Sequence, residues 1–144
     1  MERISRQQML AEMVITAAKR STCLRKQVGA LIAIEGRVLS IGYGGSPSGT
    51  PHCMDAGCII GPDGGCLRTI HAEQNVIAFA ARNGIAIRGA ELWCSMTPCL
   101  PCAKLIINSG IKSVFALEEY RDAVGINLLI QVGIDVRIFG APKS

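Results

Sequence analysis

Residues 69–110, TIHAEQNVIAFAARNGIAIRGAELWCSMTPCLPCAKLIINSG, contain the alternation of elements that decides the fold. The apolar spacing predicts a helix over 71–82, a buried strand over 90–96 and a second helix over 99–109. A helix that separates two strands acts as a crossover, so the strands on either side of it should run parallel. This stretch therefore predicts the parallel part of an α/β sheet.

The flanking sequence extends this pattern to the order α-β-β-α-β-α-β-α-β. The other predicted elements are a helix over 9–18 behind a capping box at Ser5, strands over 28–34 and 37–41 joined by a Glu35-Gly36 turn, a strand over 112–117, a helix over 121–132 and a strand over 134–139. We expect one domain over 1–144. Its fold class is a three-layer α/β/α sandwich, a mixed five-stranded sheet with helices on both faces.

Composition narrows the function classes. The chain is 49% hydrophobic and 18% charged, as in a globular domain, and no apolar run approaches the roughly 18 residues of a membrane span. The N-terminus lacks the apolar stretch of a signal peptide, so we expect a cytoplasmic protein without a membrane partner. In that compartment seven cysteines are more typical of metal binding than of disulfides. The net charge of +4 fits an anionic ligand but is too scattered for nucleic acid.

Two short motifs indicate the chemistry. His71-Ala72-Glu73 and Pro98-Cys99-Leu100-Pro101-Cys102 each open a predicted helix, and the spacing of Cys99 and Cys102 puts both sulfurs on one side. One His and two Cys leave the fourth tetrahedral position to water, which is typical of catalytic zinc. Glu73 is better placed to move protons than to bind the metal. The pattern H-x-E…P-C-x-x-C is the known signature of zinc nucleobase deaminases.

The cysteines allow two other interpretations, a redox pair and a closed structural zinc. A redox Cys-x-x-Cys pair would not account for the His71 motif or for the helix order. A closed structural zinc would need a fourth ligand, and Cys94 is the nearest candidate. Because Cys94 falls in a predicted strand, it is more simply a small buried apolar side chain.

Beyond these motifs, the sequence resembles the deoxycytidylate branch of the cytidine and deoxycytidylate deaminases. The matching stretches are 20–29, 42–47, 69–75, 98–107 and 120–122. The resemblance implies zinc-dependent hydrolysis of dCMP to dUMP and ammonia, a supply reaction for thymidylate synthesis. In that reaction hydroxide adds to C4 of the base. Glu73 takes the proton from water, protonates N3 and helps ammonia to leave, while the Ala72 N–H holds the base carbonyl.

The resemblance also implies further substrate contacts at Tyr43, Gly44, Arg25 and Tyr120. Members of the family usually carry Asn where this chain has Gly44, so dCTP or a 5-substituted dCMP stays open as an alternative substrate. The candidates for the phosphate are Arg25, Lys26, Arg68 and Arg121, because arginine binds phosphate through two hydrogen bonds.

Residues 42–68 predict a second metal site. This stretch holds eight glycines, three prolines and three cysteines, and so long a loop is unusual unless something fixes its shape. Cys53, Cys58 and Cys66 would hold a structural zinc, with Cys23 preferred to His52 as the fourth ligand. An additional structural zinc in this region also occurs among the resembling deaminases. The alternative is a set of unrelated reduced thiols.

Two other functions fit the sequence less well. A transfer-RNA adenosine deaminase would need a basic surface, and a non-catalytic zinc module would not need Glu73. The resemblance implies a homo-oligomer, a trimer or a hexamer, with dCTP and dTTP as possible effectors.

Overall fold

Five strands form one mixed sheet in the order β2-β1-β3-β4-β5. The computed structural model describes residues 1–140. The strands are β1 (Gly29–Ile34), β2 (Arg37–Tyr43), β3 (Glu91–Met96), β4 (Ser113–Glu118) and β5 (Asp135–Ile138). β1 pairs antiparallel with β2 and β3, whereas β3, β4 and β5 run parallel. The predicted mixed sheet, with its hairpin and parallel half, is confirmed.

Five helices accompany the sheet. They are α1 (Arg6–Ala18), α2 (Cys53–Ala56), α3 (Ala72–Arg82), α4 (Leu100–Asn108) and α5 (Val124–Gln131). Ser5 begins α1 as predicted, since its side-chain oxygen accepts the Gln8 N–H at 3.0 Å. No helix within residues 1–140 combines the length and the apolar composition that crossing a bilayer requires.

The sheet has a buried core on each face. α1 covers one face alone and packs Leu10 and Val14 against Leu31 and Trp93. α3, α4 and α5 cover the other face, where the core includes Ile32, Val76, Leu92, Ile106, Val114 and Leu129. Helices on both faces are thereby confirmed, with one helix on one side and three on the other.

The structure corrects two predicted segments. Residues 42–68 are not a featureless loop, because they contain α2 and the bridged pair Ile60 and Cys66. One helical turn of four residues is too short to show a period in the sequence. The last helix starts at Val124 rather than at 121. Asp122 Oδ1 accepts the Val124 N–H at 2.9 Å, so the preceding residues form a loop.

The topology brings two helix starts to one edge of the sheet. α4 follows β3 with only 97–99 between them, so it begins at the carboxyl end of that strand. The carboxyl end of β4 lies beside it, since Thr97 N–H donates to Glu118 O at 3.0 Å. The start of α3 is tied to the end of β2, where Asn75 Nδ2 donates to Tyr43 O at 2.6 Å. Ligand sites of α/β proteins form at such an edge.

Because α1 is the sole helix on its face within residues 1–140, the fold should be sensitive to its apolar side. We expect Leu10→Ala to lower the free energy of unfolding by about 2–5 kcal/mol, since Leu10 is fully buried. Met9→Ala on the same helix should change it by about 0.5 kcal/mol or less, because Met9 is 36% exposed. Urea unfolding of both variants measures the difference. Equal losses would contradict this account of the α1 face.

Candidate metal centre and substrate pocket

Three predicted metal ligands meet where α3 and α4 begin. His71 is the residue before α3, Cys99 is the residue before α4, and Cys102 lies in the first turn of α4. His71 Nδ1 lies 3.2 Å from Cys102 Sγ and 3.3 Å from Cys99 Sγ. One imidazole nitrogen and two sulfur atoms therefore meet between the two helix starts.

This donor set fits a zinc ion. Zinc bonds of about 2.0 Å to nitrogen and 2.3 Å to sulfur at tetrahedral angles place the N and S donors about 3.5 Å apart. The two N–S distances are only slightly shorter than that, and all three donor atoms lie within 4.8 Å of one another. Three ligands leave one coordination position free, as catalytic zinc requires.

Neighbouring side chains hold the His71 end of the site. The His71 N–H donates to Gln74 Oε1 at 2.9 Å, which satisfies a backbone donor at the helix start. Ala72 follows and is fully buried. The position of the His71 imidazole therefore depends on how α3 begins.

The two sulfurs differ in their affinity for a proton. The hydrogen bond with Cys102 lowers the pKa of Cys99 to about 4, helped by the bond with His71 and opposed by burial. The same bond with Cys99, together with burial, raises the pKa of Cys102. The hydrogen bond with Cys99 also raises the pKa of His71. Cys99 is therefore a thiolate at neutral pH, the form that binds metal.

Glu73 is the second residue of α3 and is only 8% exposed. Burial raises its pKa above the usual value, while a hydrogen bond with Cys102 and the charge of His71 lower it. A carboxyl group whose pKa is raised takes up a proton more readily than an ordinary carboxylate, which favours a role in proton transfer. Its side chain is not one of the three clustered donors, although it lines the same pocket.

Of the three ligands, His71 and Cys99 line a cavity of about 520 Å³. Among the predicted substrate contacts, Arg25, Gly44 and Tyr120 line this cavity. Tyr43 and Ala72 are outside its lining in the described part of the chain. The Tyr43 ring instead lies under the Arg20 guanidinium, whose Cζ is 5.6 Å from the ring centroid.

Three of the four predicted phosphate ligands line the cavity, namely Arg25, Lys26 and Arg121. Lys26 Nζ lies 3.6 Å from Glu118 Oε1 in a solvent-exposed pair, which contributes little stability. Arg68 does not line the cavity. Its Nε–H donates to Gly57 O at 2.9 Å, so Arg68 fixes the cysteine-containing loop instead.

The loop cysteines form a second cluster. The sulfurs of Cys53, Cys58 and Cys66 all lie within 4.8 Å of one another. Burial opposes ionisation of Cys66, but backbone N–H donors from Arg68, Ile59 and Thr69 lower its pKa to about 6. Burial and the bonds with Cys66 and Cys58 raise the pKa of Cys53 to about 12.

The predicted fourth ligands lie apart from this cluster. Neither Cys23 nor His52 belongs to the group of three sulfurs among the residues that the structure describes. Cys23 instead lines the substrate cavity, as Cys66 does. The structure therefore brings together three of the four predicted cysteines.

Several residues of the cavity wall were not predicted. Val28, Ile70, Met96 and Thr97 all line it. Ile70, Met96 and Thr97 stand one to three residues before His71 or Cys99, whereas Val28 lies within the stretch 20–29. Thr97 had a usable signal, since a hydroxyl directly before Pro98 and Cys99 lies at the site whatever the helix boundary. It is 2% exposed, and its hydroxyl oxygen accepts the Tyr120 N–H at 2.7 Å.

A family model described as the cytidine and deoxycytidylate deaminase zinc-binding region matches residues 4–118. ComE operon protein 2 of Bacillus subtilis is 44% identical over 121 residues, which cover 84% of this chain and 64% of that protein. The deoxycytidylate deaminase of Saccharomyces cerevisiae is 37% identical, over 85% of this chain and 41% of its own length. The chain thus spans less than two thirds of either relative.

A solved structure has the same fold. The dCMP deaminase of cyanophage S-TIM5, in complex with dCMP and dUMP, superposes with a TM-score of 0.82 at 31% identity. The match covers 96% of this chain and all of the cyanophage chain, 100%.

The low pKa of Cys99 can be tested on protein freed of metal with a chelator. Cys99 should react with iodoacetamide at a nearly constant rate from about pH 8 to about pH 5, because its thiolate persists down to a pKa of about 4. A small-molecule thiol of pKa about 8.5 slows roughly tenfold per pH unit over that range. Mass spectrometry of the Cys99 peptide measures the rate. Cys94, which is fully buried, should stay unlabelled, and a tenfold fall per unit at Cys99 would contradict the assignment.

Proposed function

The chain belongs to the cytidine and deoxycytidylate deaminase family, and on that premise we propose that it removes the 4-amino group of a cytosine nucleotide. The favoured substrate is dCMP, and the products are dUMP and ammonia. One observation carries this proposal: His71, Cys99 and Cys102 form a cluster beside the buried Glu73, and His71, Cys99 and Glu73 line a cavity that three cationic side chains also line. The dCMP and dUMP in the cyanophage complex support a mononucleotide substrate.

In the proposed centre, His71 Nδ1 and the sulfurs of Cys99 and Cys102 hold one zinc ion. When bound, zinc supplies a water molecule that is acidic enough to act as a nucleophile at neutral pH. Hydrolysis then forms a C4–O bond on the base and breaks its C4–N bond. The Glu73 carboxylate accepts a proton from the water and delivers it to N3. It then assists proton transfer to the amino nitrogen, which leaves as ammonia. The raised pKa of Glu73 suits a group that must both accept and release a proton.

Positively charged side chains are proposed to bind the phosphate end of the substrate. Arg25 and Arg121 are proposed to bind the phosphate, with Lys26 contributing less because Glu118 shares its charge. The Ala72 N–H would hold the base carbonyl, and Tyr120 the sugar side of the cavity. Gly44 offers no side chain for a hydrogen bond, which keeps dCTP and 5-substituted dCMP as alternative substrates.

We further propose a second, structural zinc at Cys53, Cys58 and Cys66. The proximity of the three sulfurs supports it, and so do the backbone donors that favour the Cys66 thiolate. The fixed loop shape, secured by Arg68, also suits a closed site. Cys23 stays the proposed fourth ligand. Its sulfur would have to join the group when the metal binds.

The proposed setting is the cytoplasm, where thiol ligands stay reduced, and all seven cysteines of the chain are free. We propose a homo-oligomer, a trimer or a hexamer. Its support is the apolar surface of α4 and α5, where Leu100, Leu105, Val124 and Ile130 are each more than a third exposed. Regulation by dCTP and dTTP is proposed on the family resemblance alone.

The proposed activity is tested by ammonia release from dCMP, dCTP, cytidylate, deoxycytidine and 5-methyl-dCMP. We expect dCMP to be turned over and Glu73→Gln to reduce kcat by about 10²–10⁴ while zinc stays bound, because only the proton carrier is removed. Glu119→Gln, on an exposed residue, is the control and should act as wild type.

Other outcomes of this assay are decisive as well. Turnover of dCTP or 5-methyl-dCMP alone would keep the chemistry and overturn the choice of dCMP. Deamination of adenosine in transfer RNA, with none of the nucleotides consumed, would overturn the substrate class. A Glu73→Gln variant with full activity would remove Glu73 from the mechanism.

The second metal is tested by counting zinc. Purified wild type should contain two zinc ions per chain, and Cys58→Ser should contain one and melt at a lower temperature. Cys94→Ala is the control, since Cys94 belongs to neither cluster. Cys23→Ser and His52→Ala then identify the fourth ligand. A Cys58→Ser variant with unchanged zinc content and melting temperature would exclude the site.

A further inference from the structure

Residues 120–125 contact the turn that carries Cys99 at both of their ends, through Tyr120 and through Gly125. We propose that Thr97 and Gly125 are positioning residues that clamp this segment onto the turn 97–99. Cys99 and the cavity wall at Tyr120 and Arg121 then take their places together. The inference rests on the proposed function for its nucleotide, but not for its metal-binding part.

Thr97 provides the first contact. Its backbone N–H donates to Glu118 O at 3.0 Å, which continues the parallel pairing of β3 and β4 by one residue. Its hydroxyl oxygen then accepts the Tyr120 N–H at 2.7 Å. At 2% exposure, this hydroxyl replaces the water that the Tyr120 N–H would otherwise bind. The chain leaving β4 is thereby directed into the cavity wall.

Gly125 provides the second contact. A Cβ atom at this position would lie 2.8 Å from Cys99 C and 2.9 Å from Cys99 O, and it would be closer still to Pro98 O. A Cβ atom does not fit within 3.0 Å of a non-bonded heavy atom, so the backbone of Cys99 lies directly against α5. Gly125 is helical and its φ is not positive, so its conformation suits any residue. Lack of space alone requires glycine here.

The two contacts enclose the residues that face the substrate. Tyr120 and Arg121 line the cavity, and Asp122 ends the segment by accepting the Val124 N–H. A shift of the turn 97–99 would move the metal ligand Cys99, and a shift of residues 120–125 would move the cavity wall at Tyr120 and Arg121. Each contact should therefore have its own signature, nucleotide affinity for Thr97 and zinc affinity for Gly125.

Two measurements test the clamp on the full chain. One is the affinity for the zinc ion that Cys102→Ser fails to bind, by competition with a chromophoric chelator. The other is the Kd of the zinc-loaded protein for dUMP, by calorimetry. We expect Gly125→Ala to lower the zinc affinity at least tenfold. Thr97→Val should raise the Kd for dUMP about tenfold, because the Tyr120 N–H loses its acceptor, and Thr97→Ser should restore it.

Leu129→Ala is the matched control for Gly125→Ala. Leu129 is fully buried in the same helix and belongs to the core rather than to the turn. This variant should melt at a lower temperature yet keep the wild-type zinc affinity, which separates positioning from general destabilisation.

The clamp is overturned if folded Gly125→Ala keeps wild-type zinc affinity, or if Leu129→Ala loses as much. It is equally overturned if Thr97→Val binds dUMP as wild type does, or if Thr97→Ser is as impaired as Thr97→Val. Should Gly125→Ala not fold, the Thr97 pair decides alone. A protein that binds zinc but turns over no dCMP would refute the proposed function, while the zinc measurements would still decide on the clamp.

Discussion

Side chains at the starts of two helices from different parts of the chain must bring their donor atoms to one point. His71 Nδ1 and the sulfurs of Cys99 and Cys102 can approach to 3.2–3.3 Å only if α3 and α4 start side by side. That requirement fixes much else: α4 must follow β3 without delay, and β4 must run parallel so that its end reaches the same edge. The sheet serves as the frame that keeps these two starts in register.

The site places a thiolate beside a buried carboxyl group. Glu73 is buried, and the charge of Cys99 adds to the cost of ionising it. An unpaired buried charge is strongly unfavourable, so a divalent cation relieves a conflict that the polypeptide alone sustains.

The sequence was sufficient to predict features that depend on repetition or on adjacent residues. Apolar periodicity predicted all five strands and the four longer helices, and motif spacing predicted that His71 would meet Cys99 and Cys102. Prediction from the sequence failed where the decisive contact comes from a distant part of the chain. The hydroxyl of Thr97 acts on a residue 23 positions away, and the absence of a side chain at Gly125 matters only because Cys99 lies against it. The place of Cys23 depends on the path of a loop, for which local pattern offers no rule. Asp122 accepts the Val124 N–H in a turn, so α5 begins at Val124. The apolar pattern over 121–132 does not reveal this turn.

The space beside Gly44 is filled by a side chain rather than by backbone. A Cβ atom at position 44 would lie 2.8 Å from Val28 Cγ2 and 3.4 Å from Ser21 Oγ, so a larger residue there would require the Val28 side chain to shift. Val28 itself lines the cavity. The width of the cavity beside Gly44 is therefore coupled to the rotamer of Val28.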